Sequence, residues 1–156
     1  MYDANVIANE FLTRQKKNPD SSTNMTPMKL IKLVYIAHGF NLGAYGEKLI
    51  IEPIEAWKYG PVISSLYQTY KQYGNQIIPL DKIDIPETSL PEKIENMLDW
   101  VFSRYGNKSG VELSALTHQK NSPWDGEYFE SEPDDFHFNA TIPNEVIEKH
   151  YKKFLI

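Results

Sequence analysis

The sequence predicts a mainly α domain of the α+β kind, with about six helices and a small β-hairpin or edge strand between helices two and three. Three observations lead there. Apolar residues recur at spacings of three and four over much of the chain, the period of a helix with one buried face. Helix-start signals precede several of these stretches, with Thr or Ser at the cap and Pro or Glu behind it. Residues 49–57 break the pattern: their isoleucines favour a strand, and Pro53 disfavours both a helix and a central strand.

The first helix is expected over 4–16, capped by Asp3, on a thin apolar face of Ile7 and Phe11. A polar loop, 18–25, follows. Thr26 can cap the second helix, and Pro27 fits its first position, where a missing N–H costs nothing. Leu30, Leu33, Val34, Ala37 and Asn41 share one face, and Lys29 and Lys32 fall off it. This helix should be central, with Gly39, Gly43 and Gly46 ending it and turning the chain. Gly60-Pro61 should restart a helix, with Val62, Ile63, Leu66, Tyr70 and Tyr73 inward and Gly74 as its stop. Ser89 and Glu92 match a capping box ahead of Ile94, Met97, Leu98, Val101 and Tyr105. Ser109 and Glu112 repeat the box and open a helix through about His118. Residues 127–139 are acidic and irregular, and a last helix spans roughly 143–155 with Val146, Ile147, His150, Tyr151 and Phe154 inward.

At 156 residues the chain suits one domain, 1–156, with a sizeable core. Its 41% hydrophobic and 24% charged residues are ordinary for a globular protein. No cysteine is present, which removes disulfides, thiol nucleophiles, thiolate zinc sites and iron–sulfur clusters. Apolar runs fall far short of the ~20 residues needed to cross a membrane. Met1-Tyr2-Asp3 does not open a secretory signal, so a cytoplasmic location is expected. The net charge of −5 is uneven: residues 1–78 carry +2 and residues 79–156 carry −7. No basic stripe of the kind nucleic-acid binders show is visible, and the acidic half suits a basic protein partner.

A search for chemistry finds little. The histidines, His38, His118, His137 and His150, have no metal-ligand spacing, and HExxH is absent. His38 reads as a hydrogen-bonded structural group, and His118 as a helix-end cation. There is no phosphate-binding glycine loop and no serine elbow. The carboxylate pairs Glu52/Glu55 and Asp134/Asp135 read as solvated surface charge. No catalytic residue, metal site or cofactor is expected. Two segments stand out: 52–62 (EPIEAWKYGPV) and 122–128 (SPWDGEY). Trp57, Tyr59 and Trp124 can anchor a core, or they can form an aromatic recognition surface.

In order and spacing, TPMKLIKLVYIAH (26–38), EPIEAWKYGPV (52–62), ISSLYQTYKQYG (63–74) and LSALTHQKNSPW (113–124) closely resemble the Panacea domain, the SocA-like antitoxin family often labelled phage-associated protein. The resemblance covers most of the chain, with little signal in 79–108. His38 and Phe40 depart mildly from the glutamine and tryptophan common in the family. The resemblance implies a non-catalytic antitoxin that neutralises its toxin by direct contact, often within a prophage or mobile element. The expected partner-binding residues are Glu55, Trp57, Lys58, Tyr59, Pro61, His118 and Trp124.

The expected function is therefore a toxin-binding antitoxin, its partner encoded by the adjacent gene, with a homodimer also admitted. Membrane and nucleic-acid partners are not expected. One alternative is a DNA-binding regulator of a mobile element using a basic face through Lys29 and Lys32. Another is a hydrolase or nucleotide-modifying enzyme with a site built from His38, His118 and Glu55.

Overall fold

Helix α2 (Pro27–Tyr45) organises the molecule, and its sequence explains why. PMKLIKLVYIAHGFNLGAY is apolar on nearly every side, and such a helix is stable only when surrounded. The structure, a computed structural model, describes residues 1–19, 24–128 and 140–155. Among the described residues six helices and a three-stranded antiparallel sheet make up the fold. The expected mainly helical architecture, with a small β element after the second helix, is what the chain adopts.

Thr26 Oγ1 accepts the Lys29 N–H at 3.3 Å, Pro27 opens α2, and Gly46 closes it in the left-handed region at φ 66°. Of the three glycines expected to end this helix, only Gly46 does so. Gly39 and Gly43 lie inside it, on the strip where α6 (Asn144–Lys152) rests. A Cβ on Gly39 would overlap the Tyr151 ring, and one on Gly43 would stand 3.0 Å from the Lys152 nitrogen. Lys29 and Lys32, expected off the inward face, are buried, because neighbouring elements cover α2 all round.

Helix α1 (Ala4–Lys17) begins where the sequence placed it, with Asp3 Oδ1 accepting from the Asn5 N–H at 2.8 Å. Its buried face is broader than expected, since Ala4, Ala8 and Leu12 join Ile7 and Phe11. Arg14 ties α1 to α4 (Glu92–Tyr105) through Glu95 at 2.8 Å and Asp99 at 2.9 Å.

The sheet has the order β2-β1-β3. Strand β1 (Ile54–Trp57) pairs with β2 (Gly60–Val62) across the two-residue turn Lys58-Tyr59, with Trp57 opposite Gly60. On its other edge β1 pairs with β3 (Thr141–Ile142), a strand too short to leave a period in the sequence. Gly60-Pro61 thus starts a strand and not the expected helix. Proline is tolerated because β2 is an edge strand, where a missing N–H breaks no ladder. Helix α3 (Ser64–Tyr70) follows, continued by a 3₁₀ turn (Lys71–Tyr73) that ends at Gly74, as expected.

The capping box expected at Ser89–Glu92 does not form; α4 starts at Glu92 behind Pro91. A residue before proline is disfavoured in the α region, so Leu90 cannot be the first helical residue that a Ser89 cap requires. The second box does form ahead of α5 (Gly110–Thr117): the Glu112 N–H donates to Ser109 Oγ at 3.1 Å, and the Ser109 N–H donates to Glu112 Oε1 at 3.0 Å. On α6, Ile147 and Tyr151 are buried, but Val146 (39% exposed) and Phe154 (60%) are not. The helix rests on α2 along a narrow strip that Val146 misses, and Phe154 lies beyond its last turn. Residues 20–23 of the polar loop and 129–139 of the acidic stretch, with His137, Asp134 and Asp135, lie outside the described residues.

The close approach of α2 and α6 makes a testable demand. Gly39→Ala overpacks the Tyr151 contact and should lower stability by about 1–3 kcal/mol in denaturant unfolding. Unchanged stability would show that the helices do not touch there.

Candidate functional site

The segment IEAWKYGPV turns back on itself at Lys58-Tyr59, and its backbone is held from three directions. Trp124 Nε1 donates to the Trp57 carbonyl at 2.5 Å. Ser114 Oγ, on α5, donates to the Tyr59 carbonyl at 2.6 Å. Lys32 Nζ, on α2, donates to the Pro61 carbonyl at 2.8 Å. Gly60 sits among these anchors at φ +115°, where a Cβ would lie 3.1 Å from Lys32 Nζ and 3.4 Å from Thr117 Oγ1. Glycine is required there on both conformational and steric grounds.

The side chains behave differently from the backbone. Tyr59 is 59% exposed, and Lys58 Nζ lies 5.6 Å from its ring centroid. Trp57 is half-buried, packing edge-on against Tyr67 at 4.8 Å and donating from Nε1 to Glu55 Oε1 at 3.3 Å. Trp124 meets His118 edge-on at 5.2 Å and stacks on Tyr128 at 4.7 Å. The Nδ1 of His118 is held by the Ser114 carbonyl, which requires the proton on that nitrogen.

The residues singled out from the sequence thus lie in one neighbourhood. Glu55, Trp57, Lys58 and Tyr59 occupy β1 and its turn, and His118 and Trp124 buttress it from behind. Pro61 differs in being buried, with its carbonyl committed to Lys32. Beside the hairpin lies a groove of about 440 Å³, walled by Met28 and Ile31 of α2 and by Trp57, Tyr59 and Tyr67. Sequence reasoning missed the groove and the anchoring roles of Lys32 and Ser114. The available signal was two lysines in an otherwise apolar helix, which can only be buried if the helix is covered all round.

Four further ionisable groups, Lys29, Lys32, His38 and Glu52, have structural partners. Lys29 Nζ donates to the Gly106 carbonyl at 2.6 Å, and burial pushes its pKa down to about 8. Burial pushes Lys32 further, to about 7. Neither lysine offers the exposed basic face that the DNA-binding alternative requires. His38 accepts at Nδ1 from the Leu49 and Ile50 N–H groups (3.3 and 3.4 Å), and its Nε2 meets Asn144 Oδ1 at 2.9 Å. It ties α2 to two other segments, and desolvation by burial keeps its pKa below the ordinary value. Glu52 takes the Ala4 N–H at 2.9 Å and the Ser65 hydroxyl at 3.2 Å, so it serves the start of α1 and is not the solvated surface charge expected of it. None of these bonds joins two of His38, His118 and Glu55, the trio the enzymatic alternative needs. Among the described residues no three His, Asp or Glu gather to hold a metal ion, and no helix is long and apolar enough to cross a membrane.

Comparison with known proteins gives a match to the family described as "Antitoxin SocA-like, Panacea domain" over residues 30–125, a span that contains the hairpin, the groove and Trp124. The chain is also similar to "Antitoxin SocA" of Caulobacter vibrioides (strain NA1000 / CB15N). The two are 30% identical over 132 residues, covering 79% of this chain and 69% of that protein. No solved structure matches.

The buried amine under the hairpin has a pH signature. Folding lowers the pKa of Lys32 from 10.5 to about 7, so between those values the unfolded chain holds a proton that the folded chain has released. Stability should therefore rise with pH across that window, by up to about 1.4 kcal/mol per pH unit for this one group. Lys32→Met should flatten the rise measured by urea unfolding between pH 7 and 9, leaving the smaller part due to Lys29. An unaltered slope in the variant would show that Lys32 keeps its proton in the folded protein.

Proposed function

The chain belongs to the SocA-like, Panacea-domain antitoxin family, and on that premise we propose that it neutralises a cognate toxin by direct, stoichiometric contact and performs no catalysis. The observation that carries this reading is the β1–β2 hairpin. Its carbonyls are pinned to Trp124, Ser114 and Lys32, while Tyr59 and Lys58 stand outward beside an apolar groove. A pinned backbone loses little conformational freedom when its side chains are covered, which favours binding. Tyrosine and tryptophan on such a support are the residue types that dominate interface energetics.

The whole chain acts as one domain in this reading, in the cytoplasm, and the toxin is the product of the adjacent gene in a prophage or other mobile element. The acidic second half would steer a basic region of the toxin toward the molecule without fixing the contact itself.

Co-expression with the adjacent gene product is the test. Growth should stop with that product alone and recover when this chain is supplied. A Trp57→Ala/Tyr59→Ala variant should keep its helical circular dichroism and lose most of the rescue. A neighbour that is harmless alone, or that stays toxic beside this chain, would refute the antitoxin reading. Full rescue by the double variant would move the contact off the hairpin.

A further inference from the structure

The groove beside the hairpin has a charge opposite to that of the molecule. The chain as a whole carries −5. The exposed charged residues lining the groove are Lys58 and Lys71, with the buried Lys32 amine beneath them, and no Asp or Glu lines it. The Lys58 amine rests near the Tyr59 ring, and Lys71 Nζ donates to the neutral Gln68 Oε1 at 2.8 Å. Lys32, 2% exposed, donates to a backbone carbonyl. Among the described residues none of the three has a carboxylate within ion-pairing distance. Among the described residues Glu55 is the carboxylate bonded to a groove wall, accepting from Trp57 Nε1 at 3.3 Å, so Lys58 and Lys71 leave the rim net positive, and apolar walls of low polarisability leave that field less screened than an open surface would.

We infer that this groove receives a partner segment that is both apolar and acidic: large apolar side chains seated between α2 and Trp57, with flanking carboxylates meeting Lys58 and Lys71 at the rim. The inference rests on the antitoxin reading for who the partner is. It departs from the simplest electrostatic expectation, since an acidic protein would be expected to take a basic surface. Long-range steering and local contact then have opposite signs, with the acidic half drawing in a basic toxin and the lysine-lined groove fixing the register on an acidic apolar stretch of it. A cavity of about 440 Å³ lies in the range that encloses compact ligands, so it admits one or two large side chains and not a whole helix.

Two blocked peptides serve as probes, one alternating Glu and Leu and one alternating Lys and Leu, titrated against the intact chain and followed by Trp fluorescence. The Glu-Leu peptide should bind and the Lys-Leu peptide should not. A Lys58→Glu/Lys71→Glu variant should bind the Glu-Leu peptide about ten-fold more weakly, and Lys58→Arg/Lys71→Arg should retain it. In parallel, carbodiimide coupling of the complex with the adjacent gene product should join Lys58 or Lys71 to an Asp or Glu within an apolar stretch of that partner. A preference for the Lys-Leu peptide, binding of neither peptide, or affinity unmoved by charge reversal would overturn the inference. So would a complex that neutralises normally but yields no couplings at these lysines, and that outcome would leave the antitoxin reading standing. If the neighbour is not neutralised at all, the antitoxin reading fails, and the peptide titration still decides what the groove accepts.

Discussion

Three carbonyl oxygens on one hairpin, those of Trp57, Tyr59 and Pro61, are taken by side chains from three separate parts of the chain. A two-stranded hairpin with a two-residue turn is marginal by itself in water. Here its polar backbone is satisfied by Trp124, Ser114 and Lys32, so the turn is held against α2 and α5. The exposed side chains of Tyr59 and Lys58 take no part in this anchoring. The surface exists because the hairpin's backbone faces in while these side chains face out.

Lys32 ties this surface to the core. It belongs to the most buried helix of the fold, where an amine is costly, and its stem runs beneath the groove. The lysine weakens the fold near neutral pH and at the same time fixes Pro61. Gly60 is the complement: without a side chain it lets the amine, Thr117 and His118 close around the strand. The same logic holds at the other end of α2, where Gly39 and Gly43 let α6 lie directly on the helix. Glycine at these places sets how near two elements come.

Much of this was legible in the sequence. Thr26-Pro27, the Ser109–Glu112 box and Gly74 marked real helix boundaries because each acts through its immediate neighbours. Ser89–Glu92 failed because the intervening Pro91 forbids the local geometry the box needs. Lys29 and Lys32 were misplaced because a helix wheel assumes one wet face, and α2 has none. Strand β3 left no trace because its two residues carry no period. The aromatic hairpin and Trp124 were visible as composition, but the groove was not, since it is made by α2, β1 and α3 meeting from distant stretches of chain.

Hydrogen–deuterium exchange of the chain, alone and saturated with the adjacent gene product, tests the central claim most directly. In the free chain the amides of the hairpin should already exchange slowly. On binding, added protection should concentrate over residues 54–62 and 64–74, with α6 unaffected. Protection gained over residues 144–152 with the hairpin unchanged would contradict it.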